Sequence, residues 1–200
     1  MSKLLGNLKK GLVFVVSAPA GTGKSTLIDM RYDEFPNAIE RSVSCSTREP
    51  RGDESHGTHY HFISDEEFTQ KVQEEAFLEW AEVFGAKYGT LKCEVDRICK
   101  SGKHAFLVID TQGAAQLMTS LDAIYLFIKP PSMEELQKRL EGRGSESPET
   151  MLGRLSQAEK EIKKSSVYDY QICNDDLQLA YQVLRSIIIA EEHKNRGKLT

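Results

Sequence analysis

The stretch LVFVVSAPAGTGKST, Leu12–Thr26, decides the fold. Leu12 to Ser17 is a continuous apolar, β-branched run, which predicts a strand buried on both faces. It ends in a Pro and Gly cluster and passes into Lys24–Glu34, a predicted helix that stops before Pro36. Gly21, Gly23, Lys24 and Ser25 supply most of the phosphate loop G-x-x-x-x-G-K-[ST]. Ala18 stands where that pattern has its first glycine, and its methyl group fits if the residue stays extended. Small residues over Ala18, Pro19, Ala20, Gly21, Thr22 and Gly23 let backbone N–H groups converge on a phosphate, and the following helix N-terminus favours negative charge. Lys24 then neutralises the outer phosphates, and the Ser25 hydroxyl helps to hold Mg²⁺. The segment Ala18–Thr26 is therefore the expected nucleoside triphosphate site.

Outward from this loop, Ile39–Ser46, Ala105–Ile109, Ala123–Ile128 and the shorter Tyr170–Cys173 read as further strands. Ser64 and Ser132 each precede a Glu by three residues, as in a capping box, and Ser147-Pro148 offers a cap followed by proline at the first helical position. A last helix should begin near Asp176 with Leu177, Tyr181, Leu184, Ile187 and Ile188 on its apolar face. Strands alternating with amphipathic helices predict a three-layer α/β fold with a mainly parallel sheet. Two regions interrupt it. Residues 44–94 carry the strand-like pieces THYHFI, FLEWAEV and AKYGTL and read as an inserted, partly antiparallel subdomain. Residues 139–164 are polar and contain EGRGSESPE, which reads as a helical lid with a mobile loop. The expected arrangement is one domain over 1–200, with 1–43, 95–138 and 165–200 as its core.

The formal net charge of −4 argues against broad nucleic-acid binding, so phosphate recognition must be local. Cys45, Cys93, Cys99 and Cys173 form no CxxC pair, as expected for reduced thiols. The short run LVFVVSA after the first lysines leads straight into the phosphate loop and is not read as a signal peptide. No run approaches the ~18 apolar residues of a membrane span. The expectation is a cytoplasmic protein with no membrane partner; its oligomeric state is left open.

The segment STREPRGDESHGTHYHF, Ser46–Phe62, follows the pattern T-[ST]-R-x2-[KR]-x2-[DE]-x2-G-x2-Y-x-[FY] except that Ser46 replaces the first Thr. With APAGTGKST, FLEWAEV, YGT, IDTQG, the EGRG segment and ICNDD in that order, the chain resembles guanylate kinases from about Gly11 to the last helix. Pro50 bends the chain, so Arg48 and Arg51 can aim two planar guanidiniums at one phosphate, with Tyr60 adding a phenolic hydrogen bond. Taken alone the segment is equally a solvated loop in which an arginine pairs with Glu49, Asp53 or Glu54. The resemblance implies that Tyr88 joins the clamp, making residues 44–94 the GMP-binding subdomain. It also implies that Glu79 reads the guanine edge with the hydroxyls of Ser44 and Thr90. A carboxylate accepts the N1–H and N2–H₂ donors of guanine together, whereas adenine would leave it unsatisfied. Without the resemblance Glu79 is only the polar member of an alternating strand. Asp110 resembles the acid of the motif D-I-D-x-Q-G and is placed in the GMP site, although a helix N-cap explains it as well. Val108 stands at the first acid of that motif, which departs from the pattern beside Lys24.

Phosphoryl transfer requires two phosphates in line and their charge screened. By resemblance Arg143 and Arg154 contact the transferring group, Arg139 lies on the ATP side and Asn174 contacts adenine. Surface pairs with Glu141, Glu146 or Glu159 are the competing reading for these arginines. His56, His59 and His61 have no further ligand at metal spacing. Trp80 reads as a packing residue and AEEHKNRGKLT as a fraying helix end. The implied reaction is transfer from MgATP to GMP or dGMP. The alternatives are a phosphate-loop kinase for another monophosphate or sugar phosphate, and a non-catalytic interaction module of the same fold.

Overall fold

The computed structural model describes residues 3–83, 85–142 and 148–195. In chain order its first half contains β1 (Val13–Ser17), α1 (Lys24–Glu34), β2 (Ile39–Arg41), β3 (Cys45–Ser46), β4 (His61–Phe62), α2 (Asp65–Gln73), β5 (Phe77–Val83) and β6 (Ala86–Leu91). There follow α3 (Lys92–Lys100), β7 (His104–Val108), α4 (Thr111–Leu117), β8 (Ile124–Lys129), α5 (Met133–Glu141), α6 (Pro148–Lys164), β9 (Tyr170–Cys173) and α7 (Leu177–His193).

Five strands form a parallel sheet in the order β2-β7-β1-β8-β9. Their continuous apolar runs reflect burial on both sides. Phe14, Val16, Phe106, Leu126 and Ile128 pack with residues of α1 and α7, while Val15, Ala105, Leu107, Tyr125 and Phe127 pack with residues of α3 and α4. The predicted three-layer α/β architecture is therefore present. Caps predicted at Ser64 and Ser132 accept hydrogen bonds from Glu67 and Glu135 N–H, and Asp176, near which the last helix is expected to begin, accepts from Leu179 N–H. Ser147 lies outside the described residues.

One predicted strand divides. Ile39–Ser46 gives β2, which pairs with β7, and β3, which belongs to a second sheet of order β4-β3-β6-β5. The Ser42 N–H makes a last bond to the main sheet at Phe106 O (3.0 Å) before the chain crosses over. Both parts are partly or fully buried and only three and two residues long, so the sequence pattern carries no sign of the change of sheet.

A β-bulge governs the second sheet. Phe77 pairs with Leu91 and Glu79 with Thr90, so two steps along β5 oppose one along β6. Strict alternation would leave Glu79 on the side of Phe77, which stacks on Phe68 at 4.6 Å between ring centroids. The extra residue turns Leu78 and Glu79 to the opposite side, toward α4, while Trp80 returns to Phe68.

The C-terminal helix does not fray over its described length. Glu191 and Glu192 are buried, and the Glu192 carboxylate accepts from Gly6 N (2.8 Å), Asn7 N (2.9 Å), Asn7 Nδ2 (2.7 Å) and the His104 ring at 2.7 Å. His104 Nδ1 accepts from Leu12 N–H, so its Nε2 carries the proton given to Glu192. Burial raises the Glu192 pKa, and the donors outweigh burial and hold it below its ordinary value. Hydrogen bonding, invisible in the polar run AEEHKN, stiffens this end. Replacing Glu192 with Ala should lower unfolding free energy by roughly 2–4 kcal/mol in urea titrations, since buried donors lose their acceptor. A loss below about 1 kcal/mol would show that the contact is not holding the two chain ends together.

Candidate active site

The phosphate loop is closed on itself. Thr22 is fully buried, and both its N–H and its hydroxyl bond to Pro19 O. Gly21 (φ 87°) and Gly23 (φ 83°) take left-handed conformations, Gly23 immediately before α1. A Cβ at Gly23 would lie 2.6 Å from Asn174 Nδ2, which donates to Thr22 O at 2.7 Å. Asn174 thus braces the loop from β9. Arg139 reaches the same place, donating to Asn174 O (2.9 Å) and to Glu135 Oε1 (3.0 Å), its helical neighbour. These residues border an open depression of about 400 Å³ that also contains Thr26.

Opposite the loop, the inward face of the second sheet gathers the predicted acceptor residues. Arg48 Nε donates to the Tyr88 hydroxyl (3.1 Å), its guanidinium lies 4.9 Å from the centre of the Tyr60 ring, and the Tyr60 and Tyr88 rings meet edge to face. The other two guanidinium nitrogens make a bidentate pair with Glu54 at 2.5 and 2.8 Å. That pair holds the Glu54 carboxyl down to about 2. Arg51 is not in this cluster: its backbone helps turn 51–54, and its side chain is exposed.

Deeper in, Ser44 Oγ and Thr90 Oγ1 are 3.5 Å apart, and Thr90 donates to Glu79 Oε1 at 2.5 Å. The bulge at Leu78 is what brings Glu79 opposite Thr90. Glu79 is 5% exposed, and burial pushes its carboxyl up to about 7, against the Thr90 bond and with the help of Asp110. Asp110 does cap α4, accepting from Gly113 N–H at 2.7 Å, and it also lines the cavity. That cavity, about 160 Å³, has Glu79, Ser44, Tyr60 and Tyr88 on one side and Lys24, Val108 and Asp110 on the other.

The Lys24 pKa is lowered by burial of its ammonium and by Arg41, while Glu161 and then Asp110 act to raise it. Glu161, on α6, is a residue the motifs did not flag. It sits seven residues after Arg154, two turns along the same helix face, and burial raises its own pKa. Helical spacing from Arg154 was the available signal. Arg154 is half-buried on α6; Arg143 lies outside the described residues. Ser25 is exposed at the start of α1.

A wider depression of about 1000 Å³ lies at the amino ends of the strands, beside Leu12, Ile124 and Tyr170. The phosphate loop and the smaller cavity lie at the other end, where open α/β sheets bind ligands. Trp80 is 40% exposed and touches Phe68 only edge-on, so the packing role expected for it is only partly met. His59 accepts from Ser55 N–H, while the His56 and His61 rings meet edge to face. No group of side chains suited to hold a metal ion exists among the described residues.

The family model described as guanylate kinase matches residues 10–191. The chain belongs to the guanylate kinase family. It is 49% identical over 194 residues to a guanylate kinase of Protochlamydia amoebophila, covering 97% of this chain and 98% of that one. It is 48% identical over 183 residues to one of Chlamydia felis, covering 92% and 90%. A solved guanylate kinase structure from Anaplasma phagocytophilum superposes with a TM-score of 0.75 at 32% identity, over 96% of this chain and 90% of that one.

A carboxyl whose folded pKa exceeds its unfolded value binds its proton more tightly when folded. Glu79 therefore favours the folded state at low pH, and this contribution is lost as pH rises from the unfolded value through about 7. Glu79→Gln should raise Tm at pH 8, by the equivalent of roughly 3 kcal/mol, with the difference shrinking as pH falls and vanishing below about pH 4. A Tm difference independent of pH would contradict the buried, proton-holding carboxyl.

Proposed function

We propose that this protein transfers the γ-phosphoryl group of MgATP to GMP, and to dGMP, giving ADP and GDP or dGDP. The observation that carries the reading is the Ser44–Thr90–Glu79 chain in a small cavity facing Lys24 and the phosphate loop. A carboxylate walled in beside two hydroxyls suits the paired N1–H and N2–H₂ donors of guanine. Residues 44–94 serve as the GMP-binding subdomain and 139–164 as the lid, around a core of 1–43, 95–138 and 165–200.

The acceptor phosphate is held by Arg48, Tyr60 and Tyr88, with Arg51 swinging in from the exposed turn. Arg48 is oriented by Glu54 and Tyr88, and side chains held by such neighbours lose less freedom on binding. ATP binds over Ala18–Thr26, with Arg139 and Asn174 on its adenine side. Asn174 can reach adenine while bracing Thr22, because the bond to Thr22 O uses one of its two amide N–H donors and leaves the second N–H and the carbonyl oxygen. Lys24, Arg143 and Arg154 stabilise the transferring group, and the GMP phosphate oxygen is already a competent nucleophile.

The exposed Ser25 hydroxyl fits a Mg²⁺ that also binds phosphate oxygens and water, and the ion would screen charge between the phosphates. Val108 offers no oxygen there, so Asp110 and Glu161 are the acids left facing Lys24. Among the described residues no helix is long and apolar enough to cross a membrane. With that, and a net charge of −4, the reading is a cytoplasmic enzyme of purine nucleotide metabolism that uses small-molecule substrates and no nucleic acid.

Offered MgATP with GMP, dGMP, AMP, UMP or CMP in turn, the protein should form ADP only with the two guanine nucleotides. Comparable turnover with another base would sink the role given to Glu79. Arg143→Ala should lower kcat by ~10³ or more, on the scale of arginines that neutralise a transferring phosphoryl group. A variant of full rate would remove Arg143 from the mechanism.

A further inference from the structure

Glu79 belongs to β5, the edge strand of the second sheet, yet its carboxylate rests against the first turn of α4 in the core. A Cβ placed at Gly113 would lie 2.4 Å from Glu79 Oε2 and 3.0 Å from Glu79 Cδ, far inside contact distance. Gly113 is not among the residues with positive φ, so its backbone does not require glycine. Inside a helix an alanine would be the better residue, and glycine costs stability. The feature that needs the missing side chain is the carboxylate.

A second contact fixes the neighbouring residue. Gln116, one turn further along α4, donates Nε2–H to Trp80 O at 2.8 Å and accepts from Trp80 N–H at 3.4 Å. An edge strand has unpaired backbone groups on its outer side. Here a side-chain amide takes the place of the missing strand, directly after Glu79. The bulge at Leu78 turns Glu79 toward α4, Gly113 leaves room for it, and Gln116 sets its height on the helix.

We infer that α4 is the template for guanine selection, with Gly113 and Gln116 as positioning residues that hold the Glu79 carboxylate where it meets the base. This rests on the reading of Glu79 as the guanine-reading group. Neither residue touches the base; both act through β5. The reading also explains why a specificity group on the inserted sheet sits in register with Lys24 and Asp110 on the core, since α4 begins at Asp110, which caps it.

The test compares GMP with IMP, which keeps the N1–H donor and lacks the 2-amino group, in the full-length protein. Gly113→Ala should reduce kcat/KM for GMP by ~10²-fold, mainly through KM, as expected for a displacement of about an ångström. KM for ATP should stay within about twofold, and the GMP to IMP preference should fall about tenfold, because the second donor contact is lost. Gln116→Ala should move the same ratio in the same direction by a smaller factor. A Gly113→Ala enzyme that keeps its GMP to IMP ratio, while Glu79→Gln loses it, overturns the template and leaves the role of Glu79 intact. An unchanged ratio in Glu79→Gln overturns the reading beneath it. Thermal unfolding separates positioning from simple damage. Gly113→Ala should not raise Tm in the wild-type background but should raise it when combined with Glu79→Ala, where nothing opposes the new methyl group. The same sign of shift in both backgrounds would overturn the inference.

Discussion

A carboxylate kept in a nearly dry seam between two sheets sets the terms for the rest of this molecule. Glu79 is buried between the inserted sheet and α4, with Thr90 as its hydrogen-bond donor and Asp110 as an unfavourable neighbour. Such a group weakens the fold at neutral pH and above, since burial opposes its charge. The two cores around it supply the compensation. The five-stranded sheet is covered on both faces, and Phe68, Phe77 and Cys45 form a smaller cluster behind the second sheet. The site is thus a local conflict held in place by its surroundings, and donors arriving from a ligand would relieve it.

The site is arranged on both sides. Asn174 braces the phosphate loop, and Glu54 with Tyr88 orients Arg48. The ionic partner of Arg48 is borrowed: the same fork that grips Glu54 suits a phosphate, and the two must share it. Lys24 faces acids supplied by α4 and α6 rather than by its neighbour on β7, where Val108 stands. The electrostatic setting of Lys24 therefore depends in part on α6, through Glu161.

Much of this was legible in the sequence because it depends on local chemistry. Residues 24–34 and 170–173 form the elements predicted for them, and a glycine loop and a proline mark the ends of the first. Ser44, Thr90 and Glu79 meet as the resemblance implied. The failures are tertiary. One extra residue at Leu78 changes which way Glu79 points, and no composition signal marks it. The split of Ile39–Ser46 is hidden because β2 and β3, three and two residues long, are too short for a pattern to mark the change of sheet. Glu192 read as part of a fraying tail because its partners, Gly6, Asn7 and His104, are distant in sequence. Arg51 sits on the exposed turn 51–54 beside Glu54, the partner of Arg48, a placement that its spacing from Arg48 does not reveal.

The most direct test of the account is proton release on GMP binding, measured by calorimetry at pH 6.5 in buffers of different ionisation enthalpy. A Glu79 carboxyl near pKa 7 is mostly protonated in the free protein and must ionise to accept both guanine donors. The wild-type protein should therefore release roughly 0.7 proton more than Glu79→Gln, after the shared contribution of the nucleotide phosphate cancels. Equal release from the two proteins would mean that Glu79 is already ionised or does not meet the base, and the central claim would fail.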